Sequence, residues 1–342
     1  MGITNGKSSH GSNRRRFLAH SAALGTASLL PFPGLTASEP PPETKKIRLV
    51  RIPAICLAPE YIAEELLRLE GFSEVEYVEM NTVDPHEMLL VNRADISVVS
   101  PPNLIPALDA GKPLLALAGL HLGCYELFAN ERVHAIRDLK GKRIAVGVLG
   151  NLEYYYLASM LAYVGVNPIR DVTWVEAKTF DETMNYFVDG KADAFLAFPP
   201  QPQRLRARKI GKVIVNTAQD RPWSQYYCCM TAAHREFVDR NPIATKRAVR
   251  AILKATDLCA REPKRAARAI VEKGYEASYE IALEVVTSLS YDRWRTYDLR
   301  DSLRFHALRL HEAGMIKTNP DKLIAQGVDL RFLKELASEL KA

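Results

Sequence analysis

Two segments of this sequence each recur about 97 residues further along the chain. Residues 74–84 (EVEYVEMNTVD) align with residues 171–181 (DVTWVEAKTFD) at an offset of 97. Residues 93–103 (RADISVVSPPN) align with residues 191–201 (KADAFLAFPPQ) at an offset of 98. A third, weaker match lies upstream in the same order. Repeats in a fixed order indicate that one structural unit has been duplicated.

Each repeat unit has the pattern strand, helix, strand, helix, strand. Short apolar runs predict the strands, and residues 59–69 and 152–164 carry apolar side chains at helical spacing. Asn151 is a favourable residue for the start of the second of these helices. Alternating strands and helices predict an α/β fold, with mainly parallel sheets covered by helices on both faces. Ligands of such sheets bind at the carboxyl ends of the strands.

The repeat pattern ends near residue 231, and the rest of the chain is helical in pattern. We predict one lobe from residues 44–125 together with 231–342, and a second lobe from residues 131–225. A two-strand hinge is expected near 124–130 and 226–231. The helices expected after the repeat span residues 244–260, 263–272, 279–289, 299–313 and 329–340.

The N-terminal segment has the order of an export signal. Residues 13–18 (NRRRFL) resemble a twin-arginine motif, and a weakly apolar run and a Pro-rich polar stretch follow. We expect residues 1–38 to be a Tat signal peptide, with the cleavage position near residue 38 left open. The apolar run is interrupted by Pro31 and Pro33, so we expect a soluble periplasmic protein after export.

The charge of the chain argues against a nucleic-acid partner. The formal net charge of the 342 residues is +6, but residues 1–38 hold four cations and no acid. The remainder therefore has a charge of only +2, without a basic stripe, and attracts phosphate backbones weakly.

Five cysteines are present, and their spacing matches no metal motif. They are Cys56, Cys124, Cys228, Cys229 and Cys259. Neither C-x-x-C nor H-E-x-x-H occurs, so we expect buried thiols that pack as small apolar groups, with no metal and no cofactor. Whether Cys56 and Cys124 form a disulfide is left open.

Several phrases resemble a known family. Residues 138–146 (DLKGKRIAV), 190–195 (GKADAF) and 100–113 are similar to the substrate-binding proteins of ABC importers in the nitrate, taurine and alkanesulfonate family, which extends to binders of thiamine pyrimidine precursors. The resemblance spans residues 45–315. It implies a type II periplasmic binding protein fold, in which two lobes close on one small molecule and deliver it to a membrane permease. We expect a monomer.

The loops after the predicted strands supply the candidate ligand-binding residues. We expect hydrogen bonds to the ligand from Asn103, His121, Asn151 and Gln201, and an aromatic wall from Tyr154 and Trp223. The full set of predicted ligand-binding residues is Cys56, Pro101, Asn103, His121, Asn151, Tyr154, Pro200, Gln201, Trp223 and Gln225.

Each of these residues also has a purely structural interpretation. Asn151 can serve only as a helix cap, His121 as an interior histidine, and Trp223 as packing under the hinge. Proline lacks an N–H donor, so Pro101 and its counterparts can simply shape loops. The basic run at residues 204–209 is either a solvated helix face or a docking patch for the permease.

The ligand is not identified by the sequence. The resemblance implies an anionic head group at the helix that begins near Asn151, but Glu153 in its first turn would repel an anion. A neutral or aromatic solute is therefore favoured over sulfonate or nitrate. The alternatives are a pyrimidine-synthase-like enzyme, for which Cys228 and Cys229 are only a motif fragment, and a periplasmic ligand sensor. No nucleophile elbow or P-loop is present, and we expect a binding protein, not an enzyme.

Overall fold

Short apolar segments of the chain form the strands of two separate sheets. The computed structural model describes residue 2 and residues 39–52, 54–80 and 84–340, so the export signal predicted over 1–38 lies outside the described residues except for residue 2. The elements below belong to one compact unit, residues 41–342. The strands are β1 (Lys46–Arg51), β2 (Glu74–Glu79), β3 (Ile96–Val99), β4 (Leu114–Leu122), β5 (Glu126–Ala129), β6 (Arg143–Val146), β7 (Thr173–Glu176), β8 (Ala194–Ala197), β9 (Lys212–Asn216) and β10 (Tyr227–His234).

The two sheets have equivalent strand orders. The first sheet has the order β2-β1-β3-β10-β4, and the second has the order β7-β6-β8-β5-β9. In the first, β1 pairs in parallel with β2 and β3, and in the second, β6 pairs in parallel with β7 and β8. The antiparallel strands, β10 and β5, each follow a change of sheet. The predicted pair of mainly parallel sheets is confirmed.

Helices flank both sheets close to the predicted positions. They are α1 (Ala58–Ile62), α2 (Glu64–Leu69), α3 (Pro85–Leu90), α4 (Pro101–Asp109), α5 (Leu152–Tyr163), α6 (Phe180–Val188), α7 (Gln201–Arg208), α8 (Arg235–Arg240), α9 (Pro242–Arg261), α10 (Pro263–Glu272), α11 (Tyr279–Ser288), α12 (Leu299–Glu312), α13 (Pro320–Gly327) and α14 (Arg331–Glu339), with 3-10 turns at Ile55–Leu57, Ile136–Leu139, Trp223–Gln225 and Tyr291–Arg295. The helix predicted over 59–69 is divided at Ala63, and α13, whose start is capped by Asn319, was not predicted. Within the described part of the chain, no helix combines the length and hydropathy needed to cross a bilayer.

Equivalent Arg–Asp ion pairs hold the first strand of each repeat, β1 and β6. In the first lobe, the Asp95 carboxylate accepts hydrogen bonds from the Arg48 amide (2.8 Å) and guanidinium (2.7 Å). In the second, the Asp193 carboxylate accepts from the Arg143 amide (3.0 Å) and guanidinium (3.3 Å). Burial favours a higher pKa for Asp193, but its bonds with Arg143 lower the pKa below the usual value. The duplication therefore extends to side-chain contacts.

The chain changes sheet twice, at residues 123–125 and at residues 217–226, and Thr217 joins the two crossings. Its hydroxyl oxygen accepts hydrogen bonds from the amides of Cys124 (3.1 Å) and Tyr125 (2.9 Å), and its hydroxyl donates to the Tyr125 carbonyl (2.9 Å). Gly123 packs so closely here that a Cβ would lie 2.1 Å from the Thr217 carbonyl oxygen.

The predicted hinge ranges overlap strands of both sheets. Strand β5 lies within the range 124–130 and pairs in the second sheet, whereas β10 begins within the range 226–231 and pairs in the first. The sheets thus place the crossings immediately before these strands. Rotation of the lobes about the crossings stays a prediction.

The contacts of Thr217 predict a measurable effect on stability. Thr217→Val removes the acceptor of two buried amides, so we expect the free energy of unfolding to fall by about 2 to 4 kcal/mol. Urea denaturation measures the change. Thr231→Val is the matched control, because Thr231 is equally buried but its hydroxyl makes a single bond, to the Ala118 carbonyl. Equal losses in the two variants would contradict the role given to Thr217.

Candidate functional site

A small cavity lies where the two lobes meet, at the carboxyl ends of β1, β3 and β8. Its volume is about 40 Å³, room for only a few water-sized groups. Both lobes and the first crossing contribute side chains, which makes this cavity the candidate ligand site. The lining residues are Ile52, Ala54, Cys56, Leu57, Pro85, Val98, Val99, Ser100, Asn103, Tyr125, Leu152, Phe180, Phe198 and Cys229.

The walls of the cavity are mainly apolar and aromatic. Phe180 and Phe198 meet edge to face with ring centroids 5.0 Å apart, and Tyr125 lies edge-on to Phe198 at 6.4 Å. No lining residue that the structure describes has a positively charged side chain. The walls therefore provide stacking and dispersion contacts but no group that neutralises an anion.

The polar side of the cavity is a hydrogen-bonded group at the start of α4. Both the amide and the hydroxyl of Ser100 donate to Asn103 Oδ1, at 3.3 and 3.1 Å. Asn103 Nδ2 donates to Asp84 Oδ1 at 2.8 Å and lies 3.4 Å from His86 Nδ1. Burial lowers the pKa of His86 to about 4, so this ring is neutral near pH 7. Asn103 therefore already has protein partners for both ends of its amide.

Two buried carboxyl groups meet at the start of α5. Asn151 caps this helix: its Oδ1 accepts from the Tyr154 amide (3.0 Å), and its Nδ2 donates to the Glu153 carboxyl group. The Asp84 carboxyl group, from the first lobe, accepts from the Leu152 amide. Burial raises the pKa of Asp84 to about 8, with Glu153 adding to the rise, and burial raises the pKa of Glu153 to about 7. The start of α5 is thus occupied by carboxyl groups of the protein itself.

Two of the predicted ligand-binding residues line the cavity, Cys56 and Asn103. Pro101 is buried in the first turn of α4, directly after the lining residue Ser100. Tyr154 is half-buried on α5, and its ring lies edge-on to Trp174 at 4.8 Å.

Pro200 and Gln201 line a neighbouring cavity of about 270 Å³. Gln201 is buried and bonds to two aromatic residues of the first cavity: its Oε1 accepts from the Phe198 amide (3.3 Å), and its Nε2 donates to the Phe180 carbonyl (2.8 Å). The structure therefore gives Gln201 a role in holding the aromatic wall.

The remaining predicted residues lie outside the cavity lining. His121 is buried in β4, Trp223 packs edge-on against Phe305 with centroids 5.5 Å apart, and Gln225 is exposed. Contact of these side chains with a ligand stays a prediction.

Twelve of the fourteen described lining residues are absent from the predicted set, and among them are Ser100, Tyr125, Phe180 and Phe198. A signal for two of them was present, because Ser100 and Phe198 occupy the same position in the two repeats, directly after β3 and β8. Equivalent positions after equivalent strands meet in the cleft of a duplicated fold. Tyr125 and Phe180 have no comparable signal, because their placement depends on the crossing and on contacts between distant segments.

Four side chains beside the cavity have the chemistry of metal ligands. We name them the thiol cluster: Cys56, His121, Cys124 and Cys229. One ligand atom from each lies within 4.8 Å of the others, and all four residues are buried. Hydrogen bonds with the neighbouring thiols hold the pKa of Cys229 well below its usual value, whereas burial raises the pKa of Cys124. Cys228 lies alongside, with its Sγ 2.9 Å from Cys124 Sγ.

The two sheets and the cavity between them define a periplasmic binding protein fold. The periplasmic nitrate-binding protein NrtA from Synechocystis PCC 6803 is similar, with a TM-score of 0.74 at 14% identity over 88% of this chain and 90% of that chain. The alkanesulfonate-binding protein SsuA from Xanthomonas axonopodis pv. citri has a TM-score of 0.69 at 16% identity, over 86% and 100%. The aliphatic sulphonate-binding protein SsuA from Escherichia coli has a TM-score of 0.62 at 15% identity, over 80% and 94%. The expected two-lobed fold is confirmed.

A family model described as "NMT1/THI5 like" matches residues 68–266. This segment is more than half of the chain, so the chain belongs to the NMT1/THI5-like family. The resemblance to importer binding proteins is confirmed, and the similar structures reported above are named as binding proteins. No curated protein matches the chain.

The raised pKa of Glu153 predicts a pH-dependent effect of its replacement. An unfolded glutamate has a pKa of about 4.3, so between that pH and about 7 the folded protein binds more protons at this position. Its ionisation therefore destabilises the fold as the pH rises. Glu153→Gln should gain stability relative to the unmodified protein as the pH rises from about 4.3 to 7, by at most about 1.4 kcal/mol per pH unit. Urea denaturation across this range measures the difference.

Comparing variant with parent cancels the opposite contribution of buried histidines such as His86. Glu65→Gln is the control, because Glu65 is a glutamate exposed on α2. A stability difference for Glu153→Gln that stays constant over the range would contradict the assignment.

Proposed function

We propose that this chain is the solute-binding component of an ABC importer. In this proposal the chain is exported by the Tat route, works in the periplasm as a monomer, captures a small organic molecule between its lobes and delivers it to a membrane permease. The observation that carries the proposal is the buried cavity between the lobes, lined from both sides and from the first crossing. The shared fold of the nitrate- and sulfonate-binding proteins named above supports it.

Contacts across the cleft support opening and closing of the lobes. Helix α7 of the second lobe carries Arg204, which pairs with Glu276 at 3.3 Å, and Arg206, which pairs with Glu284 at 2.7 Å. Helix α11, which contains Glu284, packs beside the Ile55–Leu57 turn of the first lobe. Partly exposed ion pairs contribute only about 0 to 1 kcal/mol each, so these two pairs oppose opening of the lobes only weakly. Ligand pockets commonly exceed a few hundred Å³, so solute entry requires this separation.

The proposed solute is uncharged and planar. The described lining residues include no cation, and the start of α5 is covered by Asp84. An anion at this position would lie beside two acidic groups without a counter-charge, which is costly in a buried site. Aromatic faces from Phe180, Phe198 and Tyr125 suit a flat ring.

Polar contacts to this solute are assigned to the first lobe. Ser100 and Asn103 line the cavity, and we propose that they exchange one of their internal hydrogen bonds for one to the solute. Cys56 contributes contact area. Gln201 and Asn151 are positioning residues in this proposal, since their side chains bond to the backbone that carries the cavity wall.

A thermal-shift panel tests the proposed solute class. We expect uncharged aromatic and pyrimidine-like compounds to raise the melting temperature of the purified protein. A ligand at about 100 times its dissociation constant adds about 2.7 kcal/mol, enough for several degrees. Nitrate, taurine and alkanesulfonates should give no shift. Stabilisation by these anions alone would overturn the ligand class but leave the binding role intact, whereas no shift with any solute would count against both.

A wall variant then locates the binding site. Phe180→Leu replaces an aromatic ring of the cavity wall with a smaller aliphatic side chain. Calorimetric titration with the best compound of the panel should then show an affinity about tenfold lower, a loss close to the energy of one aromatic contact. Phe187→Leu is the matched control, because Phe187 lies in the separate core around Phe128 and Phe195. Equal affinities for the two variants would place the solute elsewhere.

A further inference from the structure

The thiol cluster combines three sulfur ligands and one nitrogen ligand from distant parts of the chain. Cys56 lies in the Ile55–Leu57 turn after β1, His121 near the end of β4, Cys124 in the first crossing, and Cys229 in β10. In the pairing of β4 with β10, Cys229 is directly opposite His121. The sheet itself therefore fixes two of the four ligands, which preorganises the cluster.

The hydrogen bonding of His121 leaves one ring nitrogen available. Nδ1 lies 3.3 Å from the Leu122 carbonyl oxygen, which can only accept, so Nδ1 carries the proton in this bond. Nε2 then carries the free lone pair, and this atom is buried without a hydrogen-bond partner among the described residues. A histidine whose other nitrogen bonds to a backbone carbonyl is the usual arrangement of a metal ligand.

We propose that the thiol cluster is a Zn²⁺ site. Three cysteines and one histidine form one of the ligand sets of tetrahedral structural zinc. With Zn–S bonds of about 2.3 Å, tetrahedral geometry places the sulfur atoms about 3.8 Å apart. The ligand atoms lie within 4.8 Å of one another, so contraction by about 1 Å completes the site.

Loading of the site changes protonation and leaves oxidation states unchanged. One Zn²⁺ binds three thiolates and a neutral imidazole, and the protons of those thiols that are not already ionised pass to solvent. The bound metal would tie the Ile55–Leu57 turn to both β4 and β10. Cys56 and Cys229 also line the cavity, so the metal would lie at its floor.

Zinc binding to the purified protein tests the proposal. After reduction and removal of metal with a chelator, the protein should bind one Zn²⁺ in competition with a chromophoric chelator and release protons as it does so. Co²⁺ in place of zinc should give the absorption of a tetrahedral thiolate site. Cys229→Ser should weaken zinc binding by more than about 100-fold, because even outer-shell changes cost 10- to 100-fold. Cys259→Ser is the control, since Cys259 is a buried thiol of α9 outside the cluster, and its affinity should stay within about twofold.

A second measurement keeps the proposal testable if Cys229→Ser fails to fold. In the unmodified protein, zinc should slow alkylation of Cys56, Cys124 and Cys229 at least about tenfold and leave Cys259 unaffected. Absence of stoichiometric zinc, or zinc that protects none of these thiols, would overturn the proposal. A stable Cys124–Cys228 disulfide in protein isolated from the periplasm, together with an absence of zinc binding, would also overturn the proposal. These results do not depend on the solute, so they are separable from the importer role.

Discussion

The hydrogen bonds of Thr217 at the two crossings are the contacts on which the arrangement of this protein depends. The chain crosses from the first sheet into the second directly before β5, and it crosses back into the first sheet directly before β10. The crossing residues Cys124 and Tyr125 bond to the Thr217 hydroxyl, and they also contribute to the thiol cluster and the cavity wall. One buried hydroxyl therefore joins the two crossings and holds Cys124 and Tyr125 beside the candidate ligand site.

The polar groups around the cavity serve mainly to satisfy one another. Asn103 bonds to Ser100 and Asp84, and Asn151 bonds to its own helix and to Glu153. Such networks avoid the cost of buried polar atoms without partners. Their consequence for binding is that a solute meets an apolar surface with few free donors, which suits an uncharged ring better than an anion.

The duplicated sequence predicted the fold well because its repeats carry the strands and the buried aspartates that secure them. Asp95 and Asp193 lie in matching segments and make matching bonds in the structure. Fewer of the residues that line the cavity were predicted. Cys56 and Asn103 follow strands, where ligand residues are expected, and they line the cavity. Gln201 follows a strand too, but its amide bonds to backbone, a role that residue type and position do not reveal.

The thiol cluster was beyond sequence reasoning for a different reason. Metal motifs are recognised by short spacing, whereas Cys56, Cys124 and Cys229 are separated by long stretches of sequence and come together only in the folded chain. The length of the separations, not the residue types, hid the group from motif inspection.

The Thr217 bonds at the crossings and the ion pairs of Arg204 and Arg206 differ in their exposure to solvent, so the two kinds of contact respond differently to salt. The Thr217 bonds are buried, so dissolved ions do not weaken them. The pairs of Arg204 with Glu276 and of Arg206 with Glu284 lie at a partly exposed rim, where salt screens charge. The strength of the Thr217 bonds at the crossings should thus be independent of ionic strength, whereas the rim ion pairs weaken as ionic strength rises. In the proposed periplasmic setting, where the salt content follows the surroundings, the proposed balance between open and closed lobes would shift with the external medium even at constant solute concentration.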